Sequence, residues 1–91
     1  MVKVSKRLEI KNRLGLHARA AVLLVQTVHR FSADVKFSKD GLVVDGRSII
    51  GVLTLGAARG SKVRVEASGK DAKKLVRAVE ELIGKRFHES E

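Results

Sequence analysis

The chain has 91 residues, 44% of them hydrophobic and 32% charged, a size and balance that fit one small globular domain and exclude a disordered chain. The net charge of +9 favours acidic partners, but Lys and Arg are spread over every segment and the aromatics are only Phe31, Phe37 and Phe87, so the sequence supplies no stacking platform and no nucleic-acid partner is expected. The absence of cysteine excludes disulfides and thiolate chemistry, no apolar run reaches the ~18 residues of a membrane span, and Lys3, Lys6 and Arg7 interrupt any signal-peptide core, so a cytoplasmic location without membrane insertion is expected.

Residues 2–11 alternate. Val2, Val4, Leu8 and Ile10 face one way, and Lys3, Ser5, Arg7, Glu9 and Lys11 the other, with Lys6 as the exception. This predicts a half-buried strand. Over residues 18–30 the period changes, and Ala21, Leu24, Val25 and Val28 take the spacing of one helix face. Alternation returns over 33–38, with Ala33, Val35 and Phe37 on one side. Lys39, Asp40 and Gly41 make a turn, and residues 42–46 are read as the partner strand of a hairpin. Residues 47–56 are read as one or two helical turns, capped by Ser48 and stopped by Gly56. Residues 61–67 alternate again, with Val63, Val65 and Ala67 inward. Asp71 opens a last helix, whose stripe is Ala72, Leu75, Val76, Val79, Leu82 and Ile83.

The order β-α-β-β-α-β-α describes a single domain, residues 1–91. Every strand has one apolar face. That pattern argues for an antiparallel sheet with its helices on one side, an α+β fold of two layers.

The stretch "NRLGLHARAA", residues 12–21, places His17 where a loop becomes a helix. The first N–H groups of a helix lack carbonyl partners and carry partial positive charge, which makes such an end an anion site. Gly15 permits a sharp turn just before it, and Arg19 adds a planar cation suited to phosphate oxygens. Together these favour phosphorylation of the imidazole itself. The helix end disfavours the imidazolium by about 0.3–1 kcal/mol, so a neutral, nucleophilic His17 is expected. On the residues alone, His17 as a plain cap or loop residue carries more weight, since single histidines are common. A metal site has less support, since His29 and His88 lie far off in sequence, and no nucleophile elbow supports a hydrolase.

Ile49, Ile50, Val52, Leu53 and Leu55 are too many for one buried stripe on so short a helix. Ile50 and Leu53 are expected to point outward, forming a docking patch with a basic rim of Arg19, Arg47 and Arg13. The alternative is irregular packing that buries all five. Lys70, Lys73, Lys74 and Arg77 read as a solvated face of the last helix, with Arg77 placed to pair with Glu80 or Glu81.

"GLHARAA" together with "GRSIIGVLTLGAARGSKVRVEASG" resembles the HPr family, the phosphocarriers of the bacterial phosphoenolpyruvate-dependent phosphotransferase system. The likeness runs over nearly the whole chain. It implies an open-faced β-sandwich, a four-stranded antiparallel sheet of order 1-4-2-3 covered by three helices. It implies a stoichiometric carrier and not an enzyme, with no metal and no cofactor. His17 matches the histidine that takes a phosphoryl group on Nδ1 from Enzyme I and passes it to IIA domains, and Arg19 matches the active-site arginine. Ser48, on its residue chemistry a helix cap, matches a serine modified by HPr kinase/phosphorylase. Arg47, Ile49, Ile50 and Leu53 fall on the implied partner-binding surface, and a transcription regulator is a further partner in a regulatory branch. A monomer is expected. Ala20 stands where the family usually has proline; alanine keeps the helix but gives up the fixed φ of the ring. Two readings from other classes are a regulatory module acting through its phosphorylation state and a basic nucleic-acid binder.

Overall fold

The computed structural model describes residues 2–90. Its elements are β1 (Lys3–Glu9), α1 (Ala18–Val28), β2 (Asp34–Lys39), β3 (Leu42–Asp45), α2 (Ile49–Thr54), β4 (Lys62–Ser68) and α3 (Ala72–Gly84), followed by a short 3-10 turn at Arg86–His88. The strands form one antiparallel sheet in the order β1-β4-β2-β3. This is the element order and sheet order expected from the sequence.

The alternation of the strands decides what each face meets. Val63, Val65 and Ala67 of β4 are buried with Val35 and Phe37 of β2, and they pack with the apolar stripe of α3. All six stripe residues, from Ala72 to Ile83, are buried. The opposite face of the sheet is polar. There Glu9 and Lys62 are direct cross-strand neighbours, joined at 2.9 Å, and the hydrogen bond from the ammonium holds the Glu9 carboxyl below its usual range.

Several expectations change in detail. β1 is shorter than the alternating stretch and buries less, since Val2 is exposed and Ile10 is buried just beyond the strand end. Lys6, the apparent exception to the pattern, forms an ion pair with Glu80 of α3. That pair, and a second between Lys85 and Glu81 at 3.1 Å, occupy the two carboxylates expected to meet Arg77.

Asp71 does precede α3, but its side chain makes no bond to the helix. Its two oxygens instead accept the backbone N–H groups of Ser32 and Ala33, each at 2.9 Å, and so tie the start of α3 to the loop before β2. The Ser32 hydrogen bond is the main reason its carboxyl lies below its ordinary range.

The end of the chain was not read from the sequence. After α3, Arg86, Phe87 and His88 take φ of 54, 53 and 62. Left-handed backbone costs a non-glycine residue about 1–2 kcal/mol, and it persists where the surroundings demand it. Here Phe87 is fully buried against the core. The chain therefore reverses over α3 and returns toward the start of α1.

Candidate functional site at the start of α1

The loop before α1 is held by local bonds and by one to the segment after α2. Asn12 is completely buried, and its Nδ2 donates to the Gly15 carbonyl at 2.8 Å. Leu16 N–H donates to the Ala57 carbonyl at 2.9 Å, and His17 N–H to the Gly15 carbonyl at 2.9 Å. Gly15 has φ +68, and a Cβ there would lie 2.5 Å from the Ala57 oxygen. Only glycine meets both conditions. The loop is thus pinned to the segment after α2, and Ala20 is buried inside α1.

His17 is the N-cap residue of α1, with extended backbone at φ −77 and ψ 178, and its side chain makes no cap bond. The first bond into the helix runs from Ala21 N–H to the His17 carbonyl at 2.9 Å. The N–H groups of Ala18, Arg19 and Ala20 are therefore the unpaired donors of this helix end. Proline at position 20 would remove one of them.

The imidazole is 29% exposed, and its Nε2 lies 2.5 Å from Glu89 Oε2. An ionised carboxylate only accepts, so Nε2 carries the proton in this bond. Nδ1 makes no hydrogen bond to any described residue. The other oxygen of Glu89, Oε1, accepts from Asn12 Nδ2 at 3.0 Å. Burial pushes the Glu89 carboxyl up, but the hydrogen bonds from Asn12 and His17, with the charges of His17 and Arg19, outweigh it and hold the group below the usual carboxylate range. His17 thus sits between the positive end of α1 and a carboxylate, whereas sequence reasoning supplied the helix end alone.

Arg19 is exposed in the first turn of α1, as its second residue. The rim residue Arg13 lines a shallow cavity with Arg59, Arg86 and Ser90. Arg47 does not stand free on such a rim. Its Nη2 donates to the carbonyls of Phe31 and Ala33 at 2.7 and 2.8 Å, so its charge is committed to the turn between α1 and β2. Ser48 caps α2, its Oγ accepting Gly51 N–H at 3.0 Å. Val52 and Leu55 are buried, while Ile49, Ile50 and Leu53 are exposed, Ile50 at 75%. Leu14, 67% exposed in the His17 loop, extends the exposed apolar set.

Sequence reasoning missed Asn12 and Glu89. Asn12 carried a weak signal, an amide between an alternating strand and a glycine turn. Glu89 carried none, because it reaches His17 only through the reversal at Phe87.

A sheet covered by helices on one face, with an unspent histidine at a helix start, is the frame of a small phosphoryl carrier. The family model described as "PTS HPr component phosphorylation site" matches residues 4–85, and the chain belongs to this HPr family of the phosphotransferase system, whose members are phosphocarriers and not enzymes. It is 42% identical over 82 residues to the phosphocarrier protein HPr of Xylella fastidiosa, covering 90% of this chain and 92% of that one. It is 45% identical over 82 residues to the phosphocarrier protein HPr of Cupriavidus necator, with the same coverage. The crystal structure of HPr-C-His from Thermoanaerobacter tengcongensis matches with a TM-score of 0.90 at 40% identity, over 100% of both chains.

Proposed function

We propose that this chain accepts a phosphoryl group on Nδ1 of His17 from phospho-Enzyme I and passes it to IIA-type acceptors. One observation carries the reading: the His17 side chain is not spent on capping α1, so its Nδ1 and three helix-end amides all remain available to an incoming anion. Arg19 supplies a cation for the attached phosphate. Positioning and charge stabilisation in the partner complex do the rest. Leu14, Ile49, Ile50 and Leu53 form the apolar part of the docking surface, and Arg19, exposed at the start of α1, its basic edge. The carrier works as a cytoplasmic monomer of one domain.

The test is incubation with phosphoenolpyruvate and Enzyme I. The expected product is an acid-labile, base-stable phosphate that is absent from His17→Ala. A labelled His17→Ala protein would refute the assignment.

A second reading concerns regulation. Ser48 is half-buried at the start of α2, beside the exposed Ile49 and Ile50. A phosphate there would add about −1.5 to −2 charge to the docking surface while remaining compatible with a helix start. HPr kinase/phosphorylase would place it, and a transcription regulator would read it. Mass spectrometry after incubation with kinase and ATP decides this, and an unmodified Ser48 ends it.

A further inference from the structure

The contact between His17 and the end of the chain has a chemical use beyond holding the tail. The Glu89 side chain is only 13% exposed and is fixed at both oxygens, Oε2 on His17 Nε2 and Oε1 on Asn12 Nδ2 at 3.0 Å. Asn12 is itself fixed, since the same amide nitrogen donates to Gly15. Phe87, buried in the core two residues earlier, anchors the reversal that delivers the carboxylate. The arrangement has the form of a carboxylate, an oriented imidazole and an open second nitrogen. In such a unit the carboxylate fixes the tautomer and stabilises the ring once it becomes positive.

We propose that Glu89 is a positioning residue for phosphoryl transfer at His17: it keeps the ring proton on Nε2, so that Nδ1 presents its lone pair, and it balances the positive charge that the ring gains. This rests on the reading of His17 as the phosphoryl acceptor. In the forward step the Nδ1 lone pair forms the bond to phosphorus, the bond from phosphorus to the donor breaks, and that electron pair stays with the donor. The ring retains its Nε2 proton and becomes a phosphorylated imidazolium beside the carboxylate. In delivery the P–Nδ1 bond breaks and its electron pair returns to Nδ1. The leaving group is then a neutral imidazole. A ring stripped of its Nε2 proton would have to leave as an imidazolate anion, a far poorer leaving group. Glu89 therefore serves both directions of the relay, with Arg19 as the other charge acting on the carboxylate.

Two variants of the full chain test this. Glu89→Gln removes the charge and keeps the shape. Glu89→Ala removes the acceptor. Nitrogen-15 NMR of the His17 ring in the unphosphorylated protein reads the tautomer, and rapid-quench transfer from phospho-Enzyme I reads the chemistry. The wild-type neutral ring is expected as a single Nε2–H tautomer, with two tautomers exchanging in Glu89→Ala. The transfer rate at saturating donor is expected to fall on the order of 10-fold or more in both variants, with the donor concentration at half-saturation unchanged. A tail that merely packs would not produce that tautomer change or that split. Wild-type rates at saturating donor in both variants would overturn the proposal, whatever the tautomer result. Absence of phosphate from wild-type His17 would instead sink the carrier reading itself, and this proposal with it.

Discussion

Two helices of this protein begin at residues with opposite duties. At the start of α2, Ser48 turns its hydroxyl onto Gly51 N–H and consumes a helix-end donor. At the start of α1, His17 holds the same position but turns its ring away to Glu89, leaving the helix-end donors unpaired. A cap that satisfies its own helix is mainly a stability device. A cap residue held by something outside its helix leaves an end free to meet a ligand. The α1 end is therefore stabilised at a distance, by Asn12, Gly15 and the chain terminus, and the α2 end by its own first turn. Asp71, which caps nothing and holds Ser32 and Ala33, is a third use of the same position.

The sharpest way to break this contrast is Phe87→Ala. Removing a fully buried aromatic should cost about 3–5 kcal/mol in urea unfolding and release Glu89 from His17, while the Ser48 bond survives. A cost below about 1 kcal/mol would mean that Phe87 does not anchor the tail. Next comes Gly15→Ala, which combines left-handed backbone with a Cβ against the Ala57 carbonyl. A loss of about 2–4 kcal/mol is expected, with altered His17 ring shifts and unchanged amide protection in α2. Ser48→Ala should cost about 1 kcal/mol and leave phosphorylation of His17 intact; loss of His17 labelling would show that the two helix ends are coupled.

The smallest effect is a local one in acid. Because the folded Glu89 carboxyl lies below its ordinary value, its contribution is fully present above that ordinary range and disappears as pH falls through the depressed value. The protection of amides 86–90, taken relative to intrinsic exchange at each pH, should therefore fall at low pH and stay flat on raising pH from 5 to 6. A loosening on raising pH would carry the wrong sign.

Much of this was readable along the chain. Alternation gave the strands and their inward faces, and the stripe from Ala72 to Ile83 gave α3 residue by residue, because both are local periods imposed by one buried face. His17, Ser48 and the outward Ile50 and Leu53 followed from a loop-to-helix junction, a cap and an excess of apolar residues on a short helix. The backbone bonds of Arg47 were not legible, because nothing local reveals that the carbonyls of residues 31 and 33 lie within its reach.

The sequence by itself determined the order of elements, the sheet's buried face and the placing of His17 where a loop becomes a helix, since each is written in spacing and residue type over a few neighbouring positions. Tertiary structure alone decided which nitrogen of that ring is occupied, through a carboxylate 72 residues away that arrives by a left-handed turn anchored at Phe87. The reason is physical. Periodicity records which face is buried, but a contact between distant segments is fixed only when the core closes and sets where the chain must reverse.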